Sequence, residues 1–150
     1  MSTTQGRPAR PVELAVVRPR RLGATIIGCF FLCTAGVHVG IVMADPHFYA
    51  AFGDRALFGF VRSGWSDVFM VHPAAWGLAV AAGEASLGAL LLVGGPAARV
   101  GWVGVLTFTV LLTLFGYGFC LWSVPALVVL GWVASRDLAL EGTNRRKGKS

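Results

Sequence analysis

Charge is scarce in this sequence. Asp, Glu, Lys and Arg make up 13% of the 150 residues, about half of their usual share in soluble proteins. Residues 100–134 carry no charge at all, and hydrophobic residues make up 55% of the chain. Apolar blocks of this length cross a lipid bilayer and do not fill the core of a soluble domain. The sequence therefore predicts an integral membrane protein.

Cysteines and known catalytic motifs are also few. The chain has three cysteines and no CxxC pair, which disfavours thiol exchange. We expect Cys33 and Cys120 at different membrane depths, too far apart for a disulfide. The sequence has no HExxH, phosphate loop, nucleotide fingerprint or nucleophile elbow. A metal site built from Asp45, His47 and His72 has no supporting ligand spacing, so no metal is predicted.

The basic residues are placed as a topology signal. All of the 13 Lys and Arg residues except Arg55 and Arg62 lie in residues 1–21, 94–99 or 136–149. Loops with a Lys/Arg excess stay in the cytoplasm. We therefore expect both termini on the cytoplasmic side of the cell membrane, beside anionic lipid headgroups. No basic segment is interleaved with stacking aromatics, which argues against a nucleic-acid partner.

Four membrane spans follow from the lengths of the apolar blocks. As one helix, residues 100–134 would be about 52 Å long, whereas the bilayer core is about 30 Å thick. The chain must turn back between Gly116 and Pro125, and four spans keep both basic ends on one side. The predicted organisation is a flexible basic cytoplasmic arm at 1–20, a membrane domain at 21–139 with spans at about 22–44, 73–94, 98–117 and 123–139, and a basic cytoplasmic tail at 140–150.

The segment between the first two spans is polar but rich in aromatic residues. Residues 45–72 contain seven Phe, Tyr and Trp residues, which suit the headgroup level of a membrane. Gly53-Asp54 and Ser63-Gly64 are turn signals. We predict one or two short interfacial helices across the outer mouth of an all-α, four-helix membrane bundle. A cap over a cavity and a plain connector both remain open interpretations.

Small residues form a stripe on the first span. Thr25, Cys29, Cys33, Gly36 and Gly40 follow one another at spacings of three or four residues. The last two form a GxxxG pair, which lets another helix approach closely. We predict a helix-packing role for Gly36 and Gly40. Cys29 and Cys33 are interpreted as small packing residues, in preference to a redox or metal-binding role.

The second span carries the most informative residue, Glu84. It shares one helix face with Gly77, Ala81 and Gly88, at spacings of four, three and four. An acidic residue in a membrane helix costs on the order of 2.5–3.5 kcal/mol for Asp by insertion scales, so it usually faces protein or water. Glu84 is therefore a candidate catalytic and ligand-binding residue, and Gly77, Ala81 and Gly88 are predicted packing residues. A protonated structural carboxyl bonded to a neighbouring helix is the alternative.

His38 is the second catalytic candidate. Counting 1.5 Å per residue places it roughly 24 Å from the inner surface and Glu84 roughly 15 Å from it. We therefore predict no direct hydrogen bond between the two. Cys33 is closer to Glu84 in depth, so the predicted ligand-binding residues are Glu84, Cys33 and Gly88. The alternative for His38 is a local role near the outer interface.

The sequence contains Leu22-Gly23 and Gly36-Val37-His38 in the first span, and Gly83-Glu84-Ala85-Ser86-Leu87-Gly88-Ala89-Leu90-Leu91-Leu92-Val93-Gly94 in the second, followed by Arg99. With these residues, the chain resembles the DoxX family of small four-helix membrane proteins over about residues 20–137. The resemblance rests on the number of helices, the loop lengths and the hairpin in which Gly follows Glu84. The family includes relatives associated with thiosulfate:quinone oxidoreduction and with membrane complexes linked to thiol or oxidative stress. Where many members have a lysine near the end of the first helix, this chain has His38.

The resemblance implies an accessory or small subunit of a quinone- or sulfur/thiol-linked redox complex, and the leading hypothesis is that Glu84 holds a quinone or another small apolar ligand. It places Glu84 at the acidic position of the family's second helix. Two alternatives stay open. One is a non-catalytic assembly module that recruits another membrane protein or a second copy of this chain. The other is a small membrane enzyme or transporter for a lipophilic metabolite, with Glu84 as proton donor.

Overall fold

A computed structural model describes residues 21–147, with side chains as far as residue 140. The predicted arm at 1–20 lies outside the described residues. Within them the chain is helical, and four helices are long and apolar enough to cross a membrane, which confirms the all-α prediction. The helices are α1 (Leu22–Ala44), α2 (Ala50–Asp54), α3 (Gly59–Gly64), α4 (Pro73–Val93), α5 (Gly95–Leu112) and α6 (Tyr117–Lys147), with 3₁₀ turns at Pro46–Tyr49 and Thr113–Phe115 and a π-helical turn at Trp65–Phe69.

The four long helices pack as a bundle in chain order. Helix α1 packs mainly on α4, α4 packs on α5, α5 packs on α6, and α6 touches α1 again. The α1–α4 contact is the closest, because Gly28 and Gly88 face each other across it. A Cβ atom on Gly88 would lie 2.7 Å from the carbonyl oxygen of Gly28. Gly88 therefore lies at the closest contact between α1 and α4, opposite Gly28.

The outer surface of the bundle is apolar. Large hydrophobic side chains on all four long helices are more than half exposed, among them Ile26, Phe30, Val100, Val103, Leu121 and Val128. Soluble monomers rarely expose a contiguous apolar surface of this kind, whereas lipid tails accept it. The interior is a smaller cluster around Phe31, Leu91, Trp102, Val105 and Leu130. This distribution is that of a multi-pass membrane protein.

The turn between the last two spans lies at Gly116. This residue has φ +114°, in the left-handed region that glycine adopts without steric cost. A side chain there would also collide with the backbone carbonyl of Arg55. The reversal was predicted between Gly116 and Pro125, and it occurs at the first of these residues, whereas Pro125 lies inside α6. Membrane helices tolerate an internal proline when neighbours satisfy the freed backbone groups.

The span boundaries differ from the prediction at three places. The third span begins at Gly95 instead of residue 98, and its helix continues as a 3₁₀ turn to Phe115. The fourth begins at Tyr117 instead of residue 123, directly after Gly116. Helix α6 then continues to Lys147, beyond the predicted end at 139. A basic sequence can extend a membrane helix into the headgroup region, because helix formation does not require an apolar side chain.

Residues 45–72 form a compact cap over one end of the bundle. We call this end the cap end. The predicted short helices are confirmed. Their aromatic rings pack together and onto the α5–α6 turn: Trp65 stacks on Phe69 at 3.9 Å between ring centroids and meets Phe115 edge-on at 4.8 Å. The backbone N–H of Leu57 also donates to the carbonyl of Leu114 at 3.0 Å. The cap is thereby fixed to the bundle.

At the opposite end, Asp137 joins α6 to the start of α1. One of its carboxylate oxygens accepts a hydrogen bond from the backbone N–H of Ala24 at 2.9 Å, and Asp137 is buried. The first N–H groups of a helix have no partner within it, so α6 supplies one. The beginning of α1 and the last span thus meet at one end of the bundle, as four spans require.

Candidate functional site

Glu84 lies inside the α1–α4 interface. It is 5% exposed, and the three residues that share its face, Gly77, Ala81 and Gly88, are also buried. The predicted face is therefore the one that α4 turns towards protein. Thr34 on α1 lies beside the Glu84 carboxyl, and its hydroxyl donates to the backbone carbonyl of Phe31 at 3.0 Å. Small residues above and below Glu84 bring α1 close enough for this contact.

His38 and Glu84 approach each other more closely than their positions along the helices suggest. His38 Nε2 lies 3.7 Å from Glu84 Oε1, within ion-pair range but longer than a hydrogen bond. Side chains lean towards the N-terminus of their own helix. Because α1 and α4 are antiparallel, His38 leans towards mid-membrane and Glu84 leans towards the cap end. The depth estimate used only the rise per residue, so it missed this convergence.

Tyr49 completes the site from the cap. Its hydroxyl lies 2.6 Å from His38 Nδ1, and the two rings stack with centroids 5.7 Å apart. Tyr49 belongs to the 3₁₀ turn after α1, which begins where Asp45 accepts a hydrogen bond from the N–H of His47. We call Tyr49, His38 and Glu84 the Glu84 relay. Sequence reasoning counted Tyr49 only as one of several interfacial aromatics.

The position of Tyr49 is fixed from several sides. Its backbone carbonyl accepts a 2.8 Å hydrogen bond from Trp65 Nε1, and its ring packs against Phe69 at 5.2 Å. On the other side lies Gly77, where an added Cβ would be 2.8 Å from the ring. Gly77 is thus a packing residue because it leaves room for the tyrosine.

The Tyr49 phenol is protonated at neutral pH. Burial, and secondarily the charge of Glu84, raises the pKa of the Tyr49 phenol above its usual value of 10.0. The hydroxyl donates a hydrogen bond to His38 Nδ1 when the imidazole is the neutral tautomer that leaves Nδ1 unprotonated. A neutral imidazole with Nδ1 as acceptor carries its proton on Nε2. That nitrogen faces Glu84, so three proton-exchanging groups lie in one row.

The two oxygens of the Glu84 carboxyl differ in their surroundings. Oε2 is buried and has no hydrogen-bond partner within residues 21–140. Buried polar atoms are nearly always bonded, and an exception calls for a specific explanation. A ligand or a water molecule with a hydrogen-bonding oxygen would satisfy it.

The relay is accessible on the His38 side. The His38 side chain is 20% exposed, whereas Tyr49 is buried. On α4, Gly83 is exposed, and a Cβ added to it would meet nothing within 4 Å. A molecule dissolved in the bilayer would therefore reach His38 first and Glu84 behind it.

The other predicted site residues lie away from the relay. Cys33 and Cys29 are exposed on α1, on a different side of the helix from Thr34 and His38. A Cβ on Gly36 or Gly40 would meet nothing within 4 Å. Among the described helices, the predicted packing role of Gly36 and Gly40 is therefore unfilled, and Gly28 makes the close contact instead.

Metal ligands do not cluster in the part of the chain that the structure describes. No group of three or more His, Cys, Asp or Glu side chains there could hold an ion. All three cysteines are free, and Cys120 Sγ donates to the carbonyl of Thr113 at 3.2 Å.

Comparisons of the chain with protein-family models, with curated proteins and with solved structures give no match. The resemblance to the DoxX family stays a prediction that depends on the residues quoted for it. The case for a function therefore depends on the geometry of the Glu84 relay.

Proposed function

We propose that this chain is a small membrane subunit of a redox system, and that it binds a quinone beside Glu84 and exchanges protons with it. The observation that carries the proposal is the row Tyr49, His38, Glu84, which ends in a buried carboxyl oxygen without a hydrogen-bond partner among the described residues. The DoxX resemblance points to the same class of ligand.

The residues fit a quinone chemically. A quinone carbonyl oxygen accepts hydrogen bonds, and a protonated Glu84 offers it an O–H donor that no described protein atom uses. When a quinone is reduced to a quinol it takes up two electrons and two protons. The electrons come from a partner oxidoreductase, as the resemblance implies. Glu84 and His38 supply protons by general acid catalysis, and Tyr49 links His38 to the cap end.

The location also fits a ligand that lives in the membrane. His38 is partly exposed on the apolar surface of the bundle, so an isoprenoid quinone reaches it without leaving the lipid. The positive-inside rule places the turn that contains Arg99 on the cytoplasmic side of the cell membrane. With that orientation the cap end faces outwards, and the relay runs from the outer surface towards mid-membrane.

Quinone titration of the purified chain tests the proposal. We would measure quenching of tryptophan fluorescence by a short-chain ubiquinone analogue, in detergent, for the wild type and for Glu84→Leu. Loss of one hydrogen bond to an ionisable group corresponds to an affinity about tenfold lower. Leucine is apolar and suits a membrane helix interface, so weaker binding would not reflect unfolding.

A matched control separates this site from a general loss of charge. Asp67 is an exposed acidic residue of the cap, and Asp67→Asn should bind the quinone as the wild type does. The conservative variant Glu84→Gln keeps hydrogen-bonding atoms but cannot exchange a proton. It should retain affinity and lose the pH dependence of binding. Wild-type affinity in Glu84→Leu would refute the proposal.

An assembly role is the second candidate, and the open surface at Gly36 and Gly40 favours it. A GxxxG pair that none of the described helices of its own chain covers is available to a helix of another membrane subunit or of a second copy. Gly36→Leu combined with Gly40→Leu should then abolish co-purification or dimer formation while quinone affinity is unchanged. Unchanged association would exclude this role for the pair.

A further inference from the structure

A cavity lies at the cap end, separate from the Glu84 relay. Its volume is about 520 Å³, within the range of roughly 300–1,000 Å³ typical of small-ligand sites. No residue of the relay lines it. The lining residues are Arg55, Phe115, Gly116, Tyr117, Gly118, Phe119 and Trp122.

The cavity sits at the membrane boundary. Gly116 separates the third candidate span, which ends at Phe115, from the fourth, which begins at Tyr117. The loop that carries Arg55 is fixed at this level, because its backbone carbonyl lies against Gly116 and the N–H of Leu57 bonds to Leu114. Arg55 is therefore held at the depth of the lipid headgroups.

The chemistry of the lining is one cation among aromatic rings. Arg55 is the only charged residue that lines the cavity, its side chain is exposed, and it forms no ion pair with any described residue. Tyr117 and Trp122 are 82% and 49% exposed, so the aromatic wall opens towards the lipid. The ligand must then be anionic at one end and apolar at the other.

We propose that this cavity binds a membrane phospholipid, with the headgroup phosphate on Arg55 and the glycerol and upper acyl chains against Tyr117, Phe119 and Trp122. A guanidinium group pairs with phosphate through two parallel hydrogen bonds. Tyr and Trp rings are enriched at the boundary between lipid headgroups and acyl chains. Charge complementarity at a fixed membrane depth selects the phospholipid over an apolar ligand.

Native mass spectrometry of the full chain in detergent tests the assignment. The two probes are dioleoylphosphatidylglycerol and dioleoylglycerol, which share their acyl chains and differ in the phosphate-containing headgroup. The wild type should bind the phospholipid about tenfold more tightly, the effect of one charge-assisted hydrogen-bonded pair. Arg55→Gln should remove this preference, and Arg55→Lys should retain most of it.

Arg62→Gln is the matched control. Arg62 is also an exposed arginine of the cap, but it donates to the carbonyl of Ala56 at 3.2 Å and does not line the cavity. Its substitution should leave the preference unchanged. Equal binding of the two lipids, an unchanged preference in Arg55→Gln, or an equal loss in Arg62→Gln would overturn the proposal. Displacement of the phospholipid by excess inorganic phosphate would also overturn it, since the site would then be one for free anions.

Discussion

Replacing Gly88 by alanine tests the close contact between α1 and α4. The new Cβ would lie 2.7 Å from the backbone oxygen of Gly28, whereas ordinary van der Waals contact begins at 3.4 Å. The two backbones must therefore separate by about 0.7 Å. Gly83 on the same helix provides the control, because a Cβ there meets nothing within 4 Å.

The comparison of the two variants isolates the packing effect. Both exchanges gain about 1 kcal/mol from the higher helix propensity of alanine, and this gain cancels between them. Overpacking a tight interior costs about 1–3 kcal/mol, and backbone atoms cannot rotate out of the way. Gly88→Ala should therefore be about 1–3 kcal/mol less stable than Gly83→Ala.

Thermal unfolding in detergent, followed by circular dichroism, is a suitable assay. For a chain of this size, 1 kcal/mol corresponds to roughly 2–4 °C, so the two melting temperatures should differ by roughly 2–12 °C. Equal melting temperatures, or a higher one for Gly88→Ala, would mean that the helices do not touch at these glycines. In that case Thr34 would not lie beside Glu84 either.

Three further predictions concern Tyr49 and Asp137. Gly77→Ala should push the Tyr49 ring off His38, and quinone affinity should then lose its pH dependence while Gly83→Ala keeps it. In a Tyr117→Phe background, phenolate absorbance should show Tyr49 ionising above pH 10.0. Because the unfolded phenol ionises first, stability should fall as the pH rises past 10.0, and Tyr49→Phe should flatten this loss; a flat profile in the wild type would contradict it. Asp137→Ala should destabilise by about 1–2 kcal/mol, since the N–H of Ala24 loses its acceptor; a neutral effect in chemical denaturation would show that this contact is dispensable.

Much of the fold was predictable because membrane spans are encoded locally. The predicted first span coincides with α1, since the basic arm and Asp45-Pro46 delimit one apolar block. The period of the small residues around Glu84 identified the buried face of α4 correctly. The cap followed from its aromatic content and turn signals.

The parts that were missed depend on non-local or side-chain geometry. A proline often ends a helix, so Pro125 widened the region in which the turn was expected. The turn is made at Gly116, whose positive φ reverses the chain. The distance between His38 and Glu84 depends on how side chains lean in antiparallel helices. Tyr49 meets His38 only after the chain has left α1, and no periodicity extends across that break.

The central claim is that a quinone contacts and exchanges a proton with Glu84. Infrared difference spectroscopy of the purified chain, with and without the ubiquinone analogue, addresses it directly. We predict that quinone binding shifts a carboxylic acid C=O band in the wild type, and that Glu84→Gln lacks this band. A spectrum without a carboxyl signal, or with the same signal in Glu84→Gln, would contradict the account.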